Sequence, residues 1–113
     1  MHTNLVLCDL RRIRDLFGGD IQLADELLLV SKASLECCRE TVFESLGRKD
    51  TDSILKTAHK VKGIGLTIFS PCLVQASEVV ERNSSVALSE RVRDLCRTIE
   101  IVEELILEWT QHD

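Results

Sequence analysis

The chain has 113 residues, of which 44% are hydrophobic and 29% charged, and this composition excludes a disordered protein. A chain of this length buries one hydrophobic core, so we expect a single domain over residues 1–113, and the scarcity of proline favours helices with few loops. The formal net charge of −5 argues against nucleic acid or an anionic membrane as the main partner, because both attract a basic surface.

The first half of the chain predicts a short helix followed by a long one. Asp9 can cap the short helix, which the glycines at 18–19 end, and Asp20 begins the long helix, which runs to about Gly47. Apolar residues recur three or four positions apart in both helices, as expected for one buried face. They are Leu10, Ile13 and Leu16 in the first helix, and Ala24, Leu28, Leu35, Cys38, Val42 and Leu46 in the second.

Two further helices are predicted between residues 50 and 81. Asp50 or Thr51 can cap the third helix. Ser70 and Pro71 mark the start of the fourth, because serine is a good N-cap and proline is tolerated at the first helical position. A loop is expected over residues 82–85. The buried faces contain Ile54, Ala58, Val61, Gly65 and Ile68 in the third helix, and Leu73, Ala76 and Val80 in the fourth.

The last helix has the most regular pattern of the chain, with alternating spacings of four and three that are typical of a bundle seam. Short connections between long amphipathic helices indicate antiparallel neighbours. We therefore predict an all-α fold, an up-down-up-down four-helix bundle with a short extra N-terminal helix. One bundle can use the whole seam, which favours a monomer. The seam consists of Leu88, Val92, Leu95, Ile99, Val102, Ile106 and Trp109.

Cysteine usage and hydropathy indicate the compartment. The count of five is odd, and no CxxC pair suggests a zinc site. We interpret the cysteines as reduced, mostly buried residues of a cytosolic protein. No signal peptide is visible, and the longest uncharged apolar stretch near the middle, residues 63–76, is too short to cross a bilayer. We expect a cytoplasmic domain without direct membrane contact, either free-standing or the excised cytosolic tail of a membrane protein. The cysteines are Cys8, Cys37, Cys38, Cys72 and Cys96.

His59 is the candidate functional residue. At about 100° per residue, it lies roughly 140° from the centre of the buried face of the third helix. Gly63 follows one turn later on the same side, and Lys56 and Lys62 flank His59 at a spacing of three. Periodicity alone leaves open an ordinary surface histidine among solubilising lysines. A metal site is disfavoured because Gly63, and not a second ligand, stands four residues after His59.

The chemistry of an exposed imidazole beside ammonium groups suits an anionic partner. Neutral imidazole is a nucleophile near neutral pH, and adjacent cations favour the neutral ring and offset the charge of an attached anion. Lys60 adds a third cation, while Asp52 is the only acid between residues 51 and 77. Gly63 weakens its helix by about 1 kcal/mol relative to alanine, which suggests that something approaches the backbone there.

These residues match a known pattern. The segment AHKVKG at 58–63 resembles the AHxLKG signature of histidine phosphotransfer (HPt) domains. The run LFGGD at 16–20, followed by ELL at 26–28, resembles an upstream segment of that family, and Leu73 with residues 77–81 resembles its next helix. The resemblance spans roughly residues 9–81, while the last helix matches only in pattern.

The resemblance implies a phosphocarrier of a two-component phosphorelay, as found in hybrid sensor histidine kinases. His59 would accept a phosphoryl group from a receiver-domain aspartate and pass it to a response regulator. Lys62 would steady the phosphoryl oxygens, Gly63 would let the receiver approach, and Glu81 would bond the other ring nitrogen. No cofactor is implied for this chain, since the receiver would bring Mg²⁺.

Receiver domains are thus the expected partners, and Lys56, Lys60 and Leu66 the expected partner-binding residues. Two departures from the family pattern, Ile64 and Phe69, put the docking geometry in question. A docking module that binds receivers without being phosphorylated is an alternative. A self-contained enzyme is less well supported, because no second catalytic group except Glu81 is expected to converge on His59. The chain also has no Walker motif, so we expect it not to bind ATP. Further apolar docking candidates are Leu23, Leu27 and Val30.

Overall fold

The computed structural model describes residues 7–82 and 87–111, and it is all-α over these ranges, as predicted. Five helices are defined within them: α1 at Leu10–Leu16, α2 at Ile21–Gly47, α3 at Thr51–Thr67, α4 at Pro71–Glu81 and α5 at Leu88–Gln111.

Aspartates cap the first three helices. Asp9, Asp20 and Asp50 each precede a helix, and each carboxylate accepts a backbone N–H that has no partner within the helix. Between the two caps proposed for α3, the structure selects Asp50, and Thr51 is the first helical residue. The donors are the backbone N–H groups of Arg12 at 3.2 Å, Leu23 at 3.1 Å and Ser53 at 3.2 Å.

α4 begins at the residue that the sequence predicted, but its cap residue makes a different hydrogen bond. Ser70 occupies the N-cap position and Pro71 the first turn, but the Ser70 side chain makes no cap hydrogen bond. Its hydroxyl donates to the Leu7 carbonyl, and the Asp9 N–H donates to the Phe69 carbonyl at 2.9 Å. Ser70 therefore ties the segment before α1 to the α3–α4 turn.

The predicted apolar rows form the core, with a few exceptions. Leu16 is 64% exposed, because α1 has only seven residues and ends at this position. Leu46, Ala76 and Trp109 are only partly buried at the edge of the core. The apolar pattern could not reveal Ser45 and Ser77, which are also buried. Their hydroxyls donate to the carbonyls of Thr41 and Leu73, each at 2.7 Å, so neither burial leaves an unpaired donor.

The four longer helices form a closed ring. α2 packs on α3 and α5, and α4 packs on the same two helices, while α1 lies against α2. A Cβ at Gly65 would lie 3.0 Å from the Leu73 Cβ and 3.2 Å from the Val74 backbone N, so α3 and α4 approach closely there. Because the two helices approach closely, the side of α4 that carries Glu78 and Glu81 lies beside the exposed side of α3. None of the described helices combines the length and apolar character needed to cross a bilayer.

Candidate functional site

His59 lies on the exposed side of α3, as predicted, with 75% of its side chain accessible. Its Nδ1 is 3.1 Å from Oε2 of Glu81 on α4. A carboxylate can only accept a hydrogen bond, so this contact assigns the proton to Nδ1. The lone pair of Nε2 is then available to solvent or to a partner.

A second contact joins the same two helices. The Lys62 Nζ is 3.2 Å from Oε2 of Glu78. His59 and Lys62 are three residues apart on α3, and their partners Glu81 and Glu78 are three apart on α4 in the reverse order, so the two helices run antiparallel. Sequence analysis did not identify Glu78. The three-residue spacing of Glu78 and Glu81, which matches that of His59 and Lys62, is the signal that could have identified it.

The Lys62–Glu78 ion pair is accessible to solvent. The side chains of Lys62 and Glu78 are 30% and 43% exposed, and ion pairs this accessible contribute little to stability. The Lys62 ammonium group can therefore leave Glu78 with little loss of stability.

Gly63 leaves the backbone of α3 bare one turn after His59. A Cβ there would meet nothing within 4 Å outside its own helix, and the Thr67 hydroxyl donates to the Gly63 carbonyl at 3.0 Å. Gly65 contrasts with it, since a Cβ at that position would make a tight contact with Leu73 of α4, at 3.0 Å. Internal packing explains Gly65 but not Gly63, which is consistent with an approach from outside the molecule.

Lys56 and Lys60, the other two lysines near His59, are exposed and form no ion pair within the described part of the chain. Lys60 lies on the flank that faces α2, near the Cys38 thiol. Burial raises the pKa of Cys38, and the positive charge of Lys60 opposes that shift. Lys56 and Lys60 therefore lie on the exposed surface of α3 near His59, and their role in partner binding stays a prediction.

Leu66 lies two turns after His59 on the same face of α3 and is 59% exposed. It lines a hollow of about 380 Å³ together with Phe69, Val74 and Glu78. The Arg12 guanidinium stacks on the Phe69 ring, 4.2 Å from its centroid. Phe69, one of the two departures from the family pattern, therefore helps to form an apolar surface beside the Lys62–Glu78 pair.

The other apolar candidates divide into two groups. Val30 and Leu23 are 65% and 45% exposed, whereas Leu27 packs partly against the core. Ile64, the second departure from the family pattern, is also partly buried and packs against the core. Val30 and Leu23 are therefore available to a partner, and Ile64 and Leu27 serve at least partly in packing. Within the described residues, no group of three or more His, Cys, Asp or Glu side chains could hold a metal ion.

Comparison with known proteins supports the fold. No protein-family model matches the sequence, and no relative was found among curated proteins. Among solved structures, the chain is similar to the HPt domain of a hybrid sensor histidine kinase from Shewanella. The TM-score is 0.81 at 19% sequence identity, and the match covers 96% of this chain and 97% of that one. Over nearly its whole length, the chain therefore has the fold of that HPt domain.

Proposed function

We propose that this chain is a phosphocarrier domain of a two-component phosphorelay. His59 accepts a phosphoryl group from a receiver-domain aspartate and passes it to the aspartate of a response regulator. The observation that carries this proposal is the exposed imidazole, whose Nδ1 lies 3.1 Å from Glu81. The HPt fold of the structural neighbour and the AHKVKG segment at 58–63 support it.

The transfer step uses Nε2 of His59 as the nucleophile. Its lone pair forms a P–N bond while the bond between phosphorus and the aspartate oxygen breaks, and the carboxylate leaves with the electron pair of that bond. The proton on Nδ1 stays in place and donates to Glu81, which stabilises the positive charge that the ring gains. Transfer to a second receiver is the same step in reverse.

Lys62 and Gly63 support the step without taking part in bond making. Phosphoryl transfer passes through a loose transition state, so catalysis depends mainly on positioning and on charge stabilisation. Lys62 turns from Glu78 to the phosphoryl oxygens, while the bare backbone at Gly63 lets the receiver come close. Leu66, Lys56 and Lys60 lie around this centre and contact the receiver.

In this proposal, α2 to α5 form an up-down-up-down four-helix bundle, and α1 is the extra N-terminal helix. The antiparallel His59–Glu81 and Lys62–Glu78 contacts support that order for α3 and α4. In this proposal the domain needs no cofactor of its own, and the receiver brings the Mg²⁺. The domain belongs in the cytoplasm with its receivers, free-standing or as part of a hybrid sensor kinase.

Phosphoryl transfer from a panel of receivers tests the proposal. Each receiver is phosphorylated with acetyl phosphate and Mg²⁺, separated from the donor and mixed with wild type, His59→Gln or His112→Gln as a matched control. Intact mass and acid lability are measured. We expect one acid-labile phosphoryl group on wild type and on His112→Gln, and none on His59→Gln. Binding without label on any variant would support the docking module instead, and label on His59→Gln would identify another acceptor.

A further inference from the structure

Two carboxylates of α4 lie beside the candidate phosphoryl site, and they contact different groups of α3. Glu81 lies 3.1 Å from Nδ1 of His59, and Glu78 lies 3.2 Å from the Lys62 Nζ. A positive charge on the ring strengthens the first contact. The second contact occupies the cation that a phosphoryl group on His59 would need, so Glu78 competes with phosphorylation.

The other charged groups near His59 are not held in this way. Lys56 flanks His59 at the same three-residue spacing as Lys62 but forms no ion pair within the described part of the chain. On α4, the Nε of Arg82 donates to the backbone carbonyl of Glu78 at 3.3 Å. Of the two flanking lysines, Lys62 is therefore the one that an acid of the described chain holds. The remaining charged residues on the exposed side of α3 are Asp52 and Lys60.

We propose that Glu78 sets the equilibrium of phosphoryl transfer by holding Lys62 in the unphosphorylated protein, an inference that rests on the proposed function of His59. As Nε2 forms the P–N bond, the bond from phosphorus to the receiver's aspartate oxygen breaks, the carboxylate leaves with that electron pair, and the proton stays on Nδ1. The phosphoryl oxygens take the ammonium group of Lys62 from Glu78. Breaking the ion pair makes phosphorylated His59 less stable than it would be beside a free lysine.

The accessibility of the ion pair suits this role. The side chains of Lys62 and Glu78 are 30% and 43% exposed, and a pair this accessible changes an equilibrium constant by no more than about fivefold. Glu78 therefore moderates the stability of the phosphorylated state and does not prevent it. A carrier that both accepts and releases the same group requires such a balance.

A double-mutant cycle tests the role of Glu78. Second-order rate constants of transfer between the chain and one receiver are measured in both directions for wild type, Glu78→Gln, Lys62→Met and the double variant. Phosphoramidate, a small phosphoryl donor, labels the chain for the reverse direction. The ratio of the two rate constants is the overall equilibrium constant. It depends only on the free proteins, so a change in docking affinity cancels.

Two controls match the changes in charge. Glu104→Gln removes an exposed acid from α5, which packs on α2 and α4, whereas His59 lies on α3. Lys56→Met removes the other flanking lysine, and the effect of Glu78→Gln is measured again in that background. Circular dichroism checks that each variant is folded.

We expect Glu78→Gln to shift the equilibrium toward phosphorylated His59 by about two- to fivefold, both in wild type and beside Lys56→Met. Beside Lys62→Met, only the direct repulsion between carboxylate and phosphoryl group is relieved, so the shift should fall to about 1.5-fold or less. Glu104→Gln should leave the equilibrium unchanged. An equal shift with and without Lys62, no shift at all, or a shift toward the receiver would overturn the proposal.

Failure of this inference differs from failure of the proposed function. If no receiver phosphorylates His59, phosphorus NMR of the chain labelled with phosphoramidate tests Glu78 without a receiver. Glu78→Gln should lower the pKa of the phosphoryl group, because a free Lys62 favours the dianion, and the effect should be lost beside Lys62→Met. A pKa that Glu78→Gln leaves unchanged would overturn the role of Glu78.

Discussion

At the scale of single residues, the contact between His59 and Glu81 controls which ring nitrogen can react. Glu81→Leu removes the acceptor, so either nitrogen can then carry the proton, and the developing positive charge loses a partner. Losing one hydrogen bond to a charged group amounts to about 1.5–3 kcal/mol, so we expect transfer from a phosphorylated receiver to slow by about tenfold or more. Initial rates measure the effect, and nitrogen NMR of the imidazole reports the tautomer.

Glu81→Gln is the control for this prediction, because its amide oxygen can still accept from Nδ1. It should keep the tautomer and recover most of the rate. A Glu81→Leu protein that transfers as fast as wild type, with its tautomer unchanged, would show that Glu81 does not orient the ring.

Two glycines on α3 give opposite predictions for the same substitution. Gly63→Ala adds a Cβ in open space, so it should stabilise the helix by about 0.5–1 kcal/mol while slowing transfer from a receiver. Gly65→Ala places a Cβ 3.0 Å from the Leu73 Cβ and should destabilise the protein by about 1–3 kcal/mol. Urea unfolding and transfer rates measure both effects. If Gly63→Ala left transfer unchanged, the bare backbone would not be a docking feature.

The spacing of residues within α3 predicted which of its side chains belong to the site. It did not predict all of the residues on α4 that contact them. His59, Lys62 and Gly63 lie on one helix, so their relative positions follow from helical periodicity. Glu78 lies on α4, and its contact with Lys62 depends on the register of two helices, which the close approach at Gly65 sets. A pattern within one helix does not determine such a register.

At the scale of elements, the turn between α3 and α4 contains a strained residue. Phe69 has φ +53, in the left-handed region that disfavours side chains. Phe69→Ala should destabilise the protein by about 1–3 kcal/mol, because the strain remains while the ring contact with Arg12 is lost. Phe69→Gly should be about 1 kcal/mol more stable than Phe69→Ala, the reverse of the order within a helix. Urea unfolding followed by circular dichroism gives both values, and an alanine variant more stable than the glycine variant would refute the strain.

Helix boundaries were more predictable than the connections between helices. Asp9, Asp20 and Asp50 cap their own helices through contacts three residues away, and short-range rules find such contacts. Ser70 has the same chemistry, but its hydroxyl bonds the Leu7 carbonyl, 63 residues distant in sequence. The tertiary contact overrides the local preference, and no rule confined to one turn could have predicted it.

At the scale of the whole molecule, the apolar spacing identified the faces that form the core. The seam of α5 and the rows on α2 and α3 are buried nearly as predicted, since one core must cover every apolar stripe. The exceptions lie at ends and edges, such as Leu16, where the element is too short to be covered. The bundle order as a whole, beyond the antiparallel pair of α3 and α4, remains a prediction.

The buried Cys8 thiol couples the stability of the whole molecule to alkaline pH. Burial is the main cause that raises the pKa of Cys8 from 9.0 to about 12, with smaller contributions from Cys72 and Asp9. Its Sγ donates to the Ile68 carbonyl at 3.0 Å. The thiol ionises at lower pH in the unfolded chain than in the folded protein, because its pKa is raised by folding. Its contribution to the free energy of unfolding is therefore complete below pH 9 and is lost as the pH rises toward 12.

We therefore expect the difference in unfolding free energy between wild type and Cys8→Ala to shrink above pH 9, by up to about 1.4 kcal/mol per pH unit. Urea unfolding at pH 8, 9 and 10 measures this difference. The matched control is Cys37→Ala, because Cys37 is exposed. A constant difference between wild type and Cys8→Ala across this range would show that the thiol ionises as readily in the folded chain as in the unfolded one.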